Sequence, residues 1–127
     1  MGRYAFFNTG VEYKFAFAVQ PSSDITEFGG KRVEWHEAGF EYDNYDYYHM
    51  WEEKDKPVVL DQIRFLEKEF GIRPIDFSQV DESDVYTSID EKVFCEIDSR
   101  IFHMYALGLL IYKQLEKTCP LTVAYEY

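Results

Sequence analysis

The sequence predicts an α+β domain: an antiparallel sheet, made from an N-terminal hairpin and a C-terminal strand, packed against a central C-terminal helix and a second amphipathic helix. Three observations carry this. Apolar residues alternate with period 2 near both ends of the chain, a broad apolar arc covers residues 99–117, and a narrower apolar stripe runs through 57–70. The 127 residues fit one domain, 1–127, and leave no room for two. With 46% apolar residues the chain can build a real core, since a domain of this size buries roughly two-thirds of its unfolded surface.

The hairpin comes first. Val11, Tyr13, Phe15, Phe17 and Val19 alternate with Glu12, Lys14, Ala16, Ala18 and Gln20, giving one apolar face. Arg3-Tyr4-Ala5-Phe6-Phe7 is a second short β run, and Asn8-Thr9-Gly10 between them supplies turn residues. Pro21-Ser22-Ser23-Asp24 ends the second strand, and Gly29-Gly30 marks a turn or joint. Residues 34–56 read as a loop-rich insert, acidic and aromatic.

In the amphipathic helix at 57–70, Val59, Ile63, Leu66 and Phe70 share one stripe. Asp55 and Pro57 suit its start, Gly71 its C-terminal cap, and Pro74 prevents continuation. Val93, Cys95 and Ile97 alternate with Lys92, Phe94 and Glu96 as a further strand. The 99–117 helix is apolar over an arc far wider than the ~100° stripe of a surface helix, so it should be packed from at least two directions. Asp98 or Ser99 can cap it, Lys113 and Lys117 complement its C-terminal dipole, and Pro120 ends it. A glycine inside such a helix, Gly108, implies close approach of another element, for which the N-terminal hairpin is the expected neighbour. Leu121, Val123, Tyr125 and Tyr127 then alternate with Thr122, Ala124 and Glu126 as the closing strand.

Thirteen Lys and Arg against 24 Asp and Glu leave a formal charge of −11. This disfavours direct contact with nucleic acid or an anionic membrane, both of which repel it. No run approaches the ~18 apolar residues of a membrane helix, and the opening residues lack the apolar stretch of a secretory leader. Phe6 stands where a myristoylation pattern needs Ser or Thr. Cys95 and Cys119 are too few and too far apart for a disulfide framework, and read as small buried hydrophobes in a reducing, cytoplasmic setting.

The acidity is concentrated. Residues 34–53 hold seven acids, no Lys or Arg, and seven aromatics; residues 76–98 hold eight acids against Lys92 alone. Carboxylates interleaved with Tyr and Trp suit cations, because ring faces and charge pairs act together. Trp35, Tyr42, Tyr45, Tyr47, Tyr48 and Trp51, with Glu41, Asp43 and Asp46, are therefore the expected partner-binding residues. The competing reading is a solvated loop whose rings dock on the parent domain.

Signatures of chemistry are sparse. Gly29-Gly30 lacks a phosphate-loop frame, and neither a G-x-S-x-G elbow nor H-E-x-x-H occurs. His36-Glu37 and His49 with Glu52-Glu53 match no metal spacing, so no metal and no cofactor is expected. His103, inside the apolar helix, reads first as a core histidine; paired with Glu12 it could serve as an acid/base or ligand group. Glu12 and Lys14, on one strand face, read as an exposed ion pair.

The opening string Met1-Gly2-Arg3-Tyr4-Ala5-Phe6-Phe7-Asn8-Thr9-Gly10-Val11-Glu12-Tyr13-Lys14-Phe15 resembles the start of small hypothetical proteins of large DNA viruses, and Phe102 to Leu115 adds to the resemblance. The resemblance implies an intracellular viral accessory protein and carries no activity or functional residue with it. Three functions are then expected in descending order. The first is a non-catalytic binding module for a basic protein segment or cationic ligand. Next comes a protein that binds or sequesters a nucleotide-like small molecule in an aromatic cleft near the hairpin, and last a small enzyme using His103 and a carboxylate.

Overall fold

The computed structural model describes residues 3–15, 21–39, 47–89 and 97–125. It is α+β, as the sequence predicts. Five antiparallel strands form one sheet in the order β2-β1-β5-β4-β3. These are β1 (Arg3–Phe7), β2 (Glu12–Phe15), β3 (Lys31–Val33), β4 (Tyr47–Trp51) and β5 (Leu121–Tyr125). The helices are α1 (Pro21–Thr26), α2 (Trp35–Ala38), α3 (Lys56–Phe70) and α4 (Ser99–Lys117), with 3-10 turns at Glu53–Asp55, Phe77–Gln79 and Val85–Ser88. The strand expected at 93–97 lies outside the described residues except for Ile97.

The hairpin turns at Gly10, whose φ of 92° is cheap only for glycine. Asn8 fixes its tip to the far end of the chain: Nδ2 donates to the Pro120 carbonyl at 3.1 Å and Oδ1 accepts from the Thr122 amide at 3.1 Å. The closing strand β5 is thereby registered against β1, Phe6 opposite Ala124, and against β4, Trp51 opposite Leu121.

One face of the sheet carries Ala5, Phe7, Tyr13, Trp51, Leu121, Val123 and Tyr125, all buried in the main core beneath α3 and α4. α4 is buried from Met104 through Ile111, on every side of the helix, which is the central position its composition predicts. Asp98 caps it, accepting from the Arg100 amide at 2.8 Å. On the opposite face of the sheet Val33, Tyr48 and Ala124 form a smaller cluster with Ala38 of α2. No helix among the described residues is long and apolar enough to cross a membrane.

Three expectations are corrected. The stretch read as a loop-rich insert contains α2 and β4, and β3 lies just before it. Phe70 is 39% exposed: the chain reverses at Gly71, φ 67°, and Ile72 closes the core in its place. The α3 stripe instead includes Glu67, 5% exposed, whose carboxylate accepts from the Tyr105 hydroxyl at 2.6 Å and from Arg64 at 2.7 Å. Burial and this carboxylate together push the Tyr105 hydroxyl far above its ordinary pKa, so the α3–α4 tie is a neutral phenol on a charged acceptor. The neighbour of Gly108 is not the hairpin. A Cβ there would lie 2.5 Å from Cε1 of Phe28 and 3.1 Å from Cγ1 of Ile63, so a ring from the α1–β3 connection and a side chain of α3 fill the space.

Gly108→Ala is therefore expected to lower the denaturation midpoint. The gain in helix propensity is about 1 kcal/mol, and overpacking of an unyielding site costs about 1–3 kcal/mol. A midpoint equal to or above that of the parent would show that Phe28 has room to move.

Candidate functional site

β2 and the segment running into the Val85–Ser88 turn enclose a cleft of about 190 Å³, floored by Leu110 of α4. Glu12, Tyr13 and Lys14 form one wall; Glu82, Asp84 and Tyr86 form the other. The second wall is a stretch without regular helix or strand, shaped by local bonds. The Asp81 carboxylate accepts from the Ser83 amide at 2.9 Å and the Ser83 hydroxyl at 2.6 Å, which holds its carboxyl below the usual range. Ser88 Oγ accepts from the Asp81 amide at 2.9 Å, so the segment closes on itself. Val80, Val85 and Ile89 anchor it in the core, and Lys117 of α4 ties Glu82 at 2.6 Å.

At the base of the cleft the Tyr86 hydroxyl donates to the Tyr13 hydroxyl at 2.8 Å. Tyr86 also stacks on Phe102 with ring centres 5.9 Å apart. Burial raises the pKa of both phenols, more strongly for Tyr13, so both stay protonated and neutral. At the mouth the carboxylates of Glu12 and Asp84 are exposed and have no counter-ion among the described residues. The expected Glu12–Lys14 pair is not formed: the Lys14 ammonium lies over the Tyr4 ring, 5.9 Å from its centre. A wider cleft of about 490 Å³ adjoins the first across Glu82 and Ser83, and there Asp81 and Glu82 are balanced by Lys113 and Lys117.

The structure does not bring His103 and Glu12 together in this cleft. Glu12 lines it; His103 does not, and its ring meets Tyr86 edge-on at 5.3 Å while Nδ1 donates to the Ser99 carbonyl at 2.6 Å.

The aromatic residues expected to bind a partner are divided by the fold. Trp35 is 52% exposed on α2. Tyr47 is half-buried, stacked on Tyr125 at 5.7 Å, and the guanidinium of Arg32 sits 4.3 Å from its ring centre. The face that a foreign cation would use is thus taken by a cation of the same chain. Tyr48 and Trp51 are buried core residues, contrary to the surface role expected of them. Both belong to a strand covered on its two faces, and the Trp51 indole donates to the Phe28 carbonyl at 3.2 Å. Glu41, Tyr42, Asp43, Tyr45 and Asp46 lie outside the described residues.

Cys119 is exposed rather than buried, and its single S–H is shared between the Glu53 carboxylate and the Leu115 carbonyl, each 3.3 Å from the sulfur. Desolvation and the Glu53 carboxylate raise its pKa, which keeps the poorly nucleophilic thiol form. Cys95 is outside the described residues. Among the described residues no three His, Cys, Asp or Glu side chains gather closely enough to hold a metal ion.

The wall residues Asp84 and Tyr86 escape sequence reasoning. They sit in an acidic linker with no hydrophobic period, and 73 positions separate Tyr86 from Tyr13. No protein-family model, no curated protein and no solved structure matches the chain.

Proposed function

We propose that this protein is a non-catalytic, intracellular binding module that holds a basic side chain of a partner protein in the cleft between β2 and the 81–88 segment. The observation that carries this reading is a cleft of about 190 Å³ with two carboxylates, Glu12 and Asp84, at the mouth that have no counter-ion among the described residues, and tyrosine rings below. Small-molecule sites typically occupy roughly 300–1,000 Å³, so this volume suits one inserted side chain better than a nucleotide-like ligand. Glu82 is already paired with Lys117, which among the described residues lining the cleft leaves Glu12 and Asp84 against Lys14 and a surplus of negative charge for an arriving Arg or Lys. The overall charge of −11 steers cations toward the molecule from further out. The adjoining cleft is large enough for a small ligand, but its carboxylates and ammoniums cancel, so it offers a charged ligand no net attraction.

An array of short peptides differing at one central residue tests the proposal. Peptides with Arg or Lys at that position should be retained, and retention should fall as salt is raised. In the Glu12→Gln, Asp84→Asn double variant, binding should weaken about tenfold, since two partly exposed ion pairs contribute about 1–2 kcal/mol together. Both side chains are exposed, so the thermal midpoint should hold. Equal retention by the parent and the double variant, or no preference for basic peptides, would end this reading.

A further inference from the structure

His49 and Trp51, neighbours on one face of β4, donate to consecutive carbonyls of the connection that leads into the edge strand β3. Nε2 of His49 donates to Gly29 at 2.7 Å and Nε1 of Trp51 donates to Phe28 at 3.2 Å. The joint they grip is Gly29–Gly30, both in the left-handed region at φ 81° and 73°. A Cβ on Gly30 would come within 2.8 Å of His49 Nε2 and 2.8 Å of Trp51 Cδ1, so the joint is pressed against both rings. The rings themselves pack with centres 4.7 Å apart.

His49 is 1% exposed, and its Nδ1 has no hydrogen-bond partner among the described residues. In the neutral ring this is tolerable, because the single N–H sits on Nε2 and reaches Gly29. A second proton would place a buried donor on Nδ1 with no acceptor among the described residues, which is the costly arrangement for a buried polar group. The ring can escape that cost by turning out, and turning out breaks its bond to Gly29.

We propose that His49 is a proton-operated clamp: acidification below neutral pH opens its grip on Gly29–Gly30 and loosens the edge strand β3. Of the charged groups near the ring, Asp55 at the start of α3 favours the charged imidazole, while Arg32, opposite His49 in the β3–β4 register, directs its guanidinium onto the Tyr47 ring. In the turn the ring meets Gly29 and Gly30, and in β5 Val123 lies opposite His49 in register; none of the three carries a charge. Desolvation outweighs the Gly29 and Asp55 contributions and lowers the imidazole pKa below its ordinary 6.5. The unfolded chain therefore takes up the proton first. Stability conferred by neutral His49 is present above about pH 6.5, declines as pH falls toward the lower folded value, and is spent below it.

Amide hydrogen exchange, read as protection factors at pH values on either side of His49 titration, tests the clamp. Protection of Gly30 and Lys31–Val33 should fall about tenfold more than that of Leu121–Tyr125 on acidification. In His49→Gln, which keeps a side-chain N–H for Gly29 but does not titrate, the difference should vanish. The wild-type ring resonances give a second readout that needs no variant, because the midpoint of β3 loosening should coincide with the titration of His49 and not of His36 or His103. Protection at β3 that ignores pH, a midpoint tracking another histidine, or an identical fall in His49→Gln would overturn the proposal.

Discussion

Trp51→Ala should lower the unfolding free energy by about 3–5 kcal/mol, the usual cost of deleting a fully buried indole. Trp51 has 0% exposure and leads the fully buried side chains by volume. It also satisfies the Phe28 carbonyl, which the variant would strand at a further cost of about 1–3 kcal/mol unless water enters. Domains of this kind have about 5–15 kcal/mol in total, so the variant should be at or near global unfolding at room temperature. Chemical denaturation with intrinsic fluorescence from Trp35 retained gives the number. A loss under about 1 kcal/mol would mean that the β4 rings belong to a surface after all, as the run of aromatics and acids first implied.

That contrast shows where the sequence is legible. The α4 helix runs over the residues its pattern predicts, 99–117, because nothing competes with a long apolar arc bounded by an Asp cap and a proline. The hairpin and the closing strand follow from clean alternation. β4 does not, since Tyr47-Tyr48-His49-Met50-Trp51 sits in a sheet covered on both sides and has no polar face to alternate with. Dense acids on either side of it then imitate a solvated loop. β3 is only three residues, and its exposed Lys31 and Arg32 hide it. The cleft fails to show for a different reason. Glu12 and Asp84 line one cleft only because the 81–88 segment folds back across β2, and that return is set by Asp81–Ser83 turn bonds and by Val80 and Val85 in the core, none of which leaves a periodic trace.

The second large effect lies in α4. Leu109→Ala and Ile111→Ala should each cost about 2–5 kcal/mol. Both side chains are at 0% exposure in the single main core, with α3 and the sheet face packed around the helix. The surroundings are rings and branched chains tied by the Asn8 latch and the Glu67–Tyr105 bond, so collapse into the vacated space is restricted. The spread between the two variants would report how far each site relaxes. Midpoint shifts in urea at an unchanged slope would confirm a stability loss without a change in the unfolded state. Shifts equivalent to less than about 1 kcal/mol in both would contradict a core centred on this helix.

Backbone-amide NMR during titration with N-acetyl-arginine methylamide decides whether the β2 cleft receives a cationic side chain. The cleft geometry predicts saturable shifts concentrated at Glu12, Tyr13, Asp84 and Tyr86, weaker at high salt and absent with N-acetyl-norleucine methylamide. Shifts that gather instead around Trp35 and Tyr47, or no saturable shifts anywhere, would contradict it.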